Sequence, residues 1–308
     1  MKNTQNKKNK KEYFEYYADV FLKTSKIKNK ESTYSNYYYV INSKVLPYFK
    51  DYKIKSITND TIINYTNTLI SKKLSSKTIK DTLTILYGIL KKYNKKIERT
   101  YPRINKNEIK VLENNDQILL ESYIVNNLNN ITFLIYLSLY TGLRIGEVCA
   151  LKWSNIDLDE GKVTINSTIT RVLSNNKKNK TKIVITDAKT VNSVREIPLN
   201  ESILKLAKKV ESSSKTHYIS TNSPKFMEPR LFYNKYKSIL KELNIDKYNF
   251  HALRHTFATR CINSGADPKT LSLILGHSSV KITLDRYVHP NFKSKVTLIS
   301  NLKLLDQF

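Results

Sequence analysis

Helical periodicity dominates this chain, and it is interrupted once by a polar, proline-containing stretch and once by a cluster of strand signals. That arrangement constrains the fold more than any other feature. The first helical run has four parts. Tyr13–Thr24 carries Phe14, Tyr17, Phe21 and Leu22 at helical spacing. A second helix runs from about Glu31 to Leu46, with Tyr34, Tyr38, Ile41 and Val45 on one stripe and Pro47 near its end. Asp60 can cap a third, Thr61–Ser71, through Ile62, Tyr65 and Leu69. Ser75 or Ser76 can cap a fourth, through Ile79, Leu83, Leu86, Ile89 and Leu90. Together they predict a small helical domain over residues 12–97. Residues 1–11 are polar and basic without periodicity and read as a disordered arm. Glu98–Asn114, with Pro102 and many charges, reads as an interdomain linker.

The second part, residues 115–290, opens with helices near Asp116–Asn126 and Ile131–Tyr140, the latter closed by Gly142. A further helix begins near Ile145 and reaches Trp153. Strand signals follow at Lys162–Val172, Lys182–Thr186 and Val194–Leu199. Helices return at Glu201–Ser212, Pro229–Leu243, Ala252–Ser264, Lys269–Leu275 and Lys281–His289. The fold class is therefore mainly α with a small antiparallel β-sheet, in two domains, as a length of 308 residues also suggests. The tail 291–308 carries Val296, Ile299, Leu302 and Leu305 three residues apart, a short apolar stripe that needs a partner surface.

Charge points to the partner. Lys and Arg number 53 against 26 Asp and Glu, a net of +27. Lysine-rich composition accounts for part of it, but a polyanion, nucleic acid first, fits a basic globular chain. No run of apolar residues is long enough for a membrane span, and no apolar stretch follows the N-terminal lysines as in a signal peptide. Cys149 and Cys261 lack CxxC spacing, which argues against a disulfide framework or a cysteine zinc site. The expectation is a cytoplasmic protein with reduced thiols and no membrane partner.

Three clusters could carry chemistry. In TGLRIGEV, residues 141–148, Gly142 ends one helix and Arg144 begins the next, with Glu147 one turn away. Alone, this is as well read as a surface arginine with a local ion pair. In HALRHTFAT, residues 251–259, His251 and Arg254 share one face of a helix N-terminus, where dipole, imidazole and guanidinium converge on an anion. His255 points elsewhere in this reading and packs. An HxxxH zinc pair lacks a third ligand. In LGHSSVKITLDRYVH, residues 275–289, Gly276 ends a helix, His277 follows in the turn, and Tyr287 comes ten residues later. One tyrosine among 21 means little except through that position.

Taken together, Arg144, His251-x-x-Arg254, Gly276-His277 and Tyr287 resemble, in order, the motif of the tyrosine recombinase (phage integrase) family. The segment KTVNSVREIPL resembles its β-hairpin and puts the family's catalytic lysine at Lys189. The helical first part resembles its SAM-like core-binding domain, which clamps DNA. The resemblance implies a site-specific recombinase that cuts and rejoins DNA through a 3′-phosphotyrosine, without metal, cofactor or ATP. A phosphodiester under attack gathers charge on its non-bridging oxygens, which Arg144, Arg254 and His277 could stabilise. Tyr287 would be the nucleophile. Lys189 would protonate the leaving 5′-oxygen, with Lys182 as a nearby competitor. His251 would assist proton transfer around Tyr287, and Glu147 would orient Arg144 or His251. The implied partners are double-stranded recombination sites and further copies in a tetramer on DNA. An excision factor and a host DNA-bending protein are open additions. The chain looks like a simple two-domain integrase of a phage or Gram-positive mobile element, and the long Ser174–Lys182 loop looks more like integrases of Gram-positive mobile elements than like Xer-type dimer resolvases. A non-catalytic DNA-binding protein of the same fold is the rival from another class.

Overall fold

The computed structural model describes residues 10–93, 96–103, 109–174, 180–187, 194–288, 296, 299 and 300. The chain divides into two compact units. The first comprises residues up to 107 together with Arg171–Lys182, and the second comprises Glu108–Thr170 and the chain from Ile183 onward.

The first unit is helical: α1 (Phe14–Lys28), α2 (Glu31–Val40), α3 (Leu46–Phe49), α4 (Asn59–Ser71) and α5 (Ser76–Leu90). The expected stop at Pro47 does not occur. A π-turn, Ile41–Val45, joins α2 to α3, and the helix runs through the proline to Phe49. Proline has no N–H and its ring crowds the carbonyl four residues back. The wider turn absorbs this, with the Leu46 N–H donating to Ile41 O. The true cap of α4 is Thr58, not Asp60. Thr58 and Thr61 form a reciprocal capping box that satisfies two backbone N–H groups. Ser75 caps α5 by accepting from the Thr78 N–H at 3.2 Å.

An aromatic knot fills this core. Phe49 lies 5.4 Å from Phe14 and 4.8 Å from Tyr65, ring centre to ring centre. The buried Tyr65 hydroxyl donates to Lys44 O at 3.1 Å, so burying the ring strands no polar atom. The start of the expected linker is packed rather than loose. Tyr101 meets Tyr87 edge to face at 5.5 Å, and the Tyr87 hydroxyl both donates to Thr100 O and accepts from the Thr100 N–H. Within the same unit, the Leu173 N–H donates to Ser35 Oγ at 2.9 Å and Lys182 pairs with Glu31 at 2.7 Å. Lys182, the competitor for the catalytic lysine, is thus held in an ion pair.

The second unit contains α6 (Asn114–Asn126), α7 (Asn130–Thr141), α8 (Ile145–Ala150), β1 (Ile156–Asp157), β2 (Lys162–Ile165), β3 (Ser167–Leu173), whose last residues join the first unit, β4 (Thr181–Asp187), whose first two residues do the same, β5 (Arg195–Pro198), α9 (Glu201–Val210), α10 (Pro229–Glu242), α11 (His251–Asn263), α12 (Pro268–Leu275) and α13 (Val280–Tyr287). Helix α7 is apolar all the way round, which requires burial on every side. It is accordingly central, packed against α6, α9, α10 and α11. Trp153 stacks on its Phe133.

The single strand expected over Lys162–Val172 is two strands broken at Asn166. β2 pairs antiparallel with β1 and β5, while β3 pairs with β4 in a separate sheet. In β2, Val163 and Ile165 face the core, and Ile165 sits opposite Arg195 of β5. That register delivers Arg195 to the site. The fold is mainly α with small antiparallel pairing, as the periodicity predicts. Among the described residues, no helix is long and apolar enough to cross a membrane.

Candidate active site

The site lies wholly in the second unit and forms around the C-terminal end of α12. A helix end leaves carbonyls without backbone partners and carries partial negative charge. Here three successive carbonyls each accept from an arginine of a different element. Arg195 Nε donates to Ile274 O at 2.7 Å, Arg254 Nη2 to Leu275 O at 2.7 Å, and Arg144 Nη2 to Gly276 O at 3.1 Å. Arg144 is the N-cap residue of α8, Arg195 opens β5 and Arg254 lies in the first turn of α11.

Two left-handed glycines make this approach possible. Gly276 has φ +62, and a side-chain carbon there would lie 3.1 Å from Arg195 Nη1. Gly142 has φ +67, and the same carbon would lie 2.7 Å from a Leu275 methyl and 2.8 Å from the Phe257 ring. Each ends its helix in a conformation that side chains disfavour.

Arg254 is 1% exposed, and its Nη1 also donates to Gly142 O at 2.8 Å. Burial and the Arg144 charge weaken its hold on its proton, while Glu147 opposes them. A guanidinium nonetheless stays charged at neutral pH. Arg144 is the open member, its side chain 40% exposed. Glu147 is buried between two guanidinium groups: Arg144 Nη1 at 2.9 Å, and Arg195 Nη1 and Nη2 at 3.2 and 2.8 Å. Burial pushes its carboxyl up, but the Arg195 hydrogen bonds, the charges of Arg195 and Arg144 and the Arg144 N–H outweigh that and hold it below the ordinary carboxylate range. Three cations against one carboxylate leave the site positive.

The histidines supply the neutral part. Tyr287, the last residue of α13, is 6% exposed. Its hydroxyl lies 2.8 Å from His255 Nδ1. This corrects the sequence expectation that His255 turns away from the site. Helix α13 crosses α11 one turn beyond His251, so position 255 meets the phenol. His251 packs edge to face on His255 at 4.5 Å. The His277 ring lies nearly parallel to Tyr287 at 6.5 Å, and its Nδ1 is 2.8 Å from the hydroxyl of the fully buried Thr283.

All three histidines have pKa values lowered to about 4, first by burial and then by neighbouring charges, Arg254 among them. Burial raises the Tyr287 phenol, against the lowering charges of Arg254 and Arg286. At neutral pH the site therefore holds neutral imidazoles and a protonated phenol among guanidinium cations.

Of the sequence-derived residues, Arg144, Glu147, His251, Arg254, His277 and Tyr287 come together. Lys189 lies outside the described residues. Arg195, His255 and Thr283 also belong to the site, and none of them stands at a motif position. In the sequence Arg195 is only a charge inside VREIPL, whose signal is strand alternation. Among the described residues, no group of three or more His, Cys, Asp or Glu is gathered as for a metal ion.

The arrangement can bind a tetrahedral anion and activate a hydroxyl beside it. Comparison with known proteins agrees. The family model described as "Phage integrase family" matches residues 102–294, and that described as "Phage integrase, N-terminal SAM-like domain" matches residues 13–70. The chain is 28% identical over 280 residues to a tyrosine recombinase XerC-like protein of Caldanaerobacter subterraneus subsp. tengcongensis, covering 81% of this chain and 72% of that one. It is 26% identical over 302 residues to the ICEBs1 integrase of Bacillus subtilis, covering 88% and 77%. In fold it is similar to the Tn1549 transposon integrase solved with circular intermediate DNA, with TM-score 0.78 and 20% identity over 94% of this chain and 100% of that one. The chain belongs to the phage integrase family and is a tyrosine recombinase, an enzyme that cuts and rejoins DNA strands.

Proposed function

We propose that this recombinase integrates and excises a mobile DNA element, with Tyr287 as its nucleophile. The observation that carries the assignment is the buried Tyr287 hydroxyl, hydrogen-bonded to an imidazole and set within the field of arginines fixed on the end of α12. Tyr287 attacks the scissile phosphorus and forms a 3′-phosphotyrosine, while the 5′-oxygen leaves. Arg144 and Arg254 hold the non-bridging oxygens as charge grows on them, together with His277 through Nε2. His251, at the edge of the site beside His255, contacts the same phosphate. Glu147 positions Arg144 and Arg195. Lys189 is the acid for the 5′-oxygen. The ester preserves the bond energy, so rejoining needs no ATP.

The element-mobilising role is supported by the likeness to the ICEBs1 integrase over most of both chains. The first unit clamps the duplex, four copies assemble on paired sites, and the stripe that begins with Val296 and Ile299, both exposed, docks between copies. An excision factor and a host DNA-bending protein are further partners under this reading. The XerC-like relative favours one second reading, resolution of chromosome or plasmid dimers.

A nicked duplex that loses its short 5′-hydroxyl fragment on cleavage tests the assignment. Built on the junction of the ends of the element carrying this coding sequence, it should trap a covalent protein–DNA adduct. Tyr287→Phe should bind that DNA with affinity within a few-fold and form none. An adduct on a replicon's dimer-resolution site, and none on the element junction, would favour the second reading. Binding without an adduct on either DNA would make the chain a binder only.

A further inference from the structure

We propose that His255 is a catalytic residue of this recombinase: its Nδ1 takes the phenolic proton as the Tyr287 oxygen attacks phosphorus. The proposal rests on Tyr287 being the nucleophile.

The geometry is direct. The attacking atom must lose a proton, and His255 Nδ1 lies 2.8 Å from it, within the distance a general base needs. His251, the residue to which the family resemblance gives proton transfer, instead packs edge to face on the His255 ring. His277 stands face to face with Tyr287 and has its Nδ1 on Thr283. Hence the imidazole nitrogen on the phenol belongs to a residue outside the motif.

The surroundings of the ring fit the task. His251 and Arg254 from α11, His277 from the turn after α12, and Arg286 from α13 all bear on His255 and, with burial, keep it neutral. A neutral imidazole with its proton on Nε2 offers Nδ1 as an acceptor, so the phenol donates. A bound phosphodiester brings negative charge into the same cage. That charge offsets the guanidinium groups and raises the basicity of the ring when it is needed.

The step balances. The O–P bond from Tyr287 forms, the bond to the 5′-oxygen breaks, the phenolic proton passes to His255 Nδ1, and a separate acid protonates the 5′-oxygen. On rejoining, His255 returns the proton to Tyr287.

Single-turnover adduct formation on the nicked duplex, at saturating protein, tests this. Asparagine keeps an acceptor near the Nδ1 position but cannot take a proton. His255→Asn and His255→Gln should bind the duplex within a few-fold of wild type. Their adduct formation should fall by about 10²–10⁴, the range for losing a general base. A duplex with sulfur in place of the bridging 5′-oxygen has a leaving group that needs no proton. It should restore variants defective in the acid and leave His255→Asn slow. If His255→Asn cuts within about tenfold of wild type, or the sulfur duplex restores it, the proposal is wrong. An adduct persisting in Tyr287→Phe would instead remove the nucleophile assignment and this proposal with it.

Discussion

Glu147 of α8 accepts both terminal nitrogens of Arg195, 48 residues further along the chain on β5, at 3.2 and 2.8 Å. The same carboxylate holds Arg144 at 2.9 Å. The residue is therefore a hinge between two of the three arginines on the end of α12, and it is 7% exposed. Removing one partner of a buried pair leaves the other charge uncompensated, at a cost of about 3–5 kcal/mol. Glu147→Ala should accordingly lower the melting temperature strongly. Glu147→Gln keeps the hydrogen-bond acceptor, so it should fold but cut more slowly. Chemical denaturation with single-turnover cleavage checks both. A Glu147→Ala protein as stable as wild type would show that the pair contributes nothing.

Arg195 follows from the same contact. Arg195→Lys keeps the charge but cannot span both carboxylate oxygens and the Ile274 carbonyl at once. Cleavage should drop by about tenfold or more while DNA binding changes little, because one misplaced donor costs about 1.4 kcal/mol or more of barrier. Equal rates for Arg195→Lys and wild type would exclude a positioning role.

Much of this was legible in the sequence, for identifiable reasons. Arg254 stands three residues after His251, so helical geometry puts both near one helix terminus. Gly142 and Gly276 announce helix ends, and the ends create the carbonyl cluster. What escaped depends on how elements meet. Arg195 reaches the site through the pairing of β5 with β2, a register that no local pattern encodes. The motif positions of α11 define a face in its first turn, whereas α13 lies over the next turn, where His255 stands. Pro47 signals a helix stop, and the π-turn that carries the helix past it leaves no compositional signature.

Gly276→Ala isolates the geometry of that cluster. The left-handed backbone costs a side chain about 1–2 kcal/mol. The new methyl also meets Arg195 Nη1 at 3.1 Å, an atom held by Glu147 and unable to yield freely. Adduct formation should fall while affinity for intact DNA stays within a few-fold. A variant with unchanged cleavage kinetics would mean that the Arg195 guanidinium is not held in place.

Acid should destabilise the protein in a defined window. His251, His255 and His277 have folded pKa values near 4, below the ordinary 6.5. Between those values the unfolded chain binds protons that the folded chain refuses, so stability falls as pH drops from about 6.5 to about 4. Glu147, depressed in the fold, adds to the loss below its ordinary 4.5. Melting temperatures across pH 4–7 should show the decline, and His255→Asn should make it shallower. A flat profile would contradict imidazoles held neutral in the fold.

Thr283 is the last test, because it separates orientation of a group from its chemistry. For His277 to donate from Nε2 to a phosphate oxygen, its Nδ1 must accept, and the Thr283 hydroxyl at 2.8 Å can donate to it. Thr283 is fully buried, so no water replaces it readily. Thr283→Val keeps the shape and removes the donor. An unpaired buried polar group costs about 1–3 kcal/mol, which places the expected loss of cleavage rate at about 5–150-fold. Thr283→Ser restores the hydroxyl and should recover most of the rate, while DNA binding should be unchanged throughout. If Thr283→Val cleaves as fast as Thr283→Ser, the hydroxyl does not set the tautomer, and His277 acts without it.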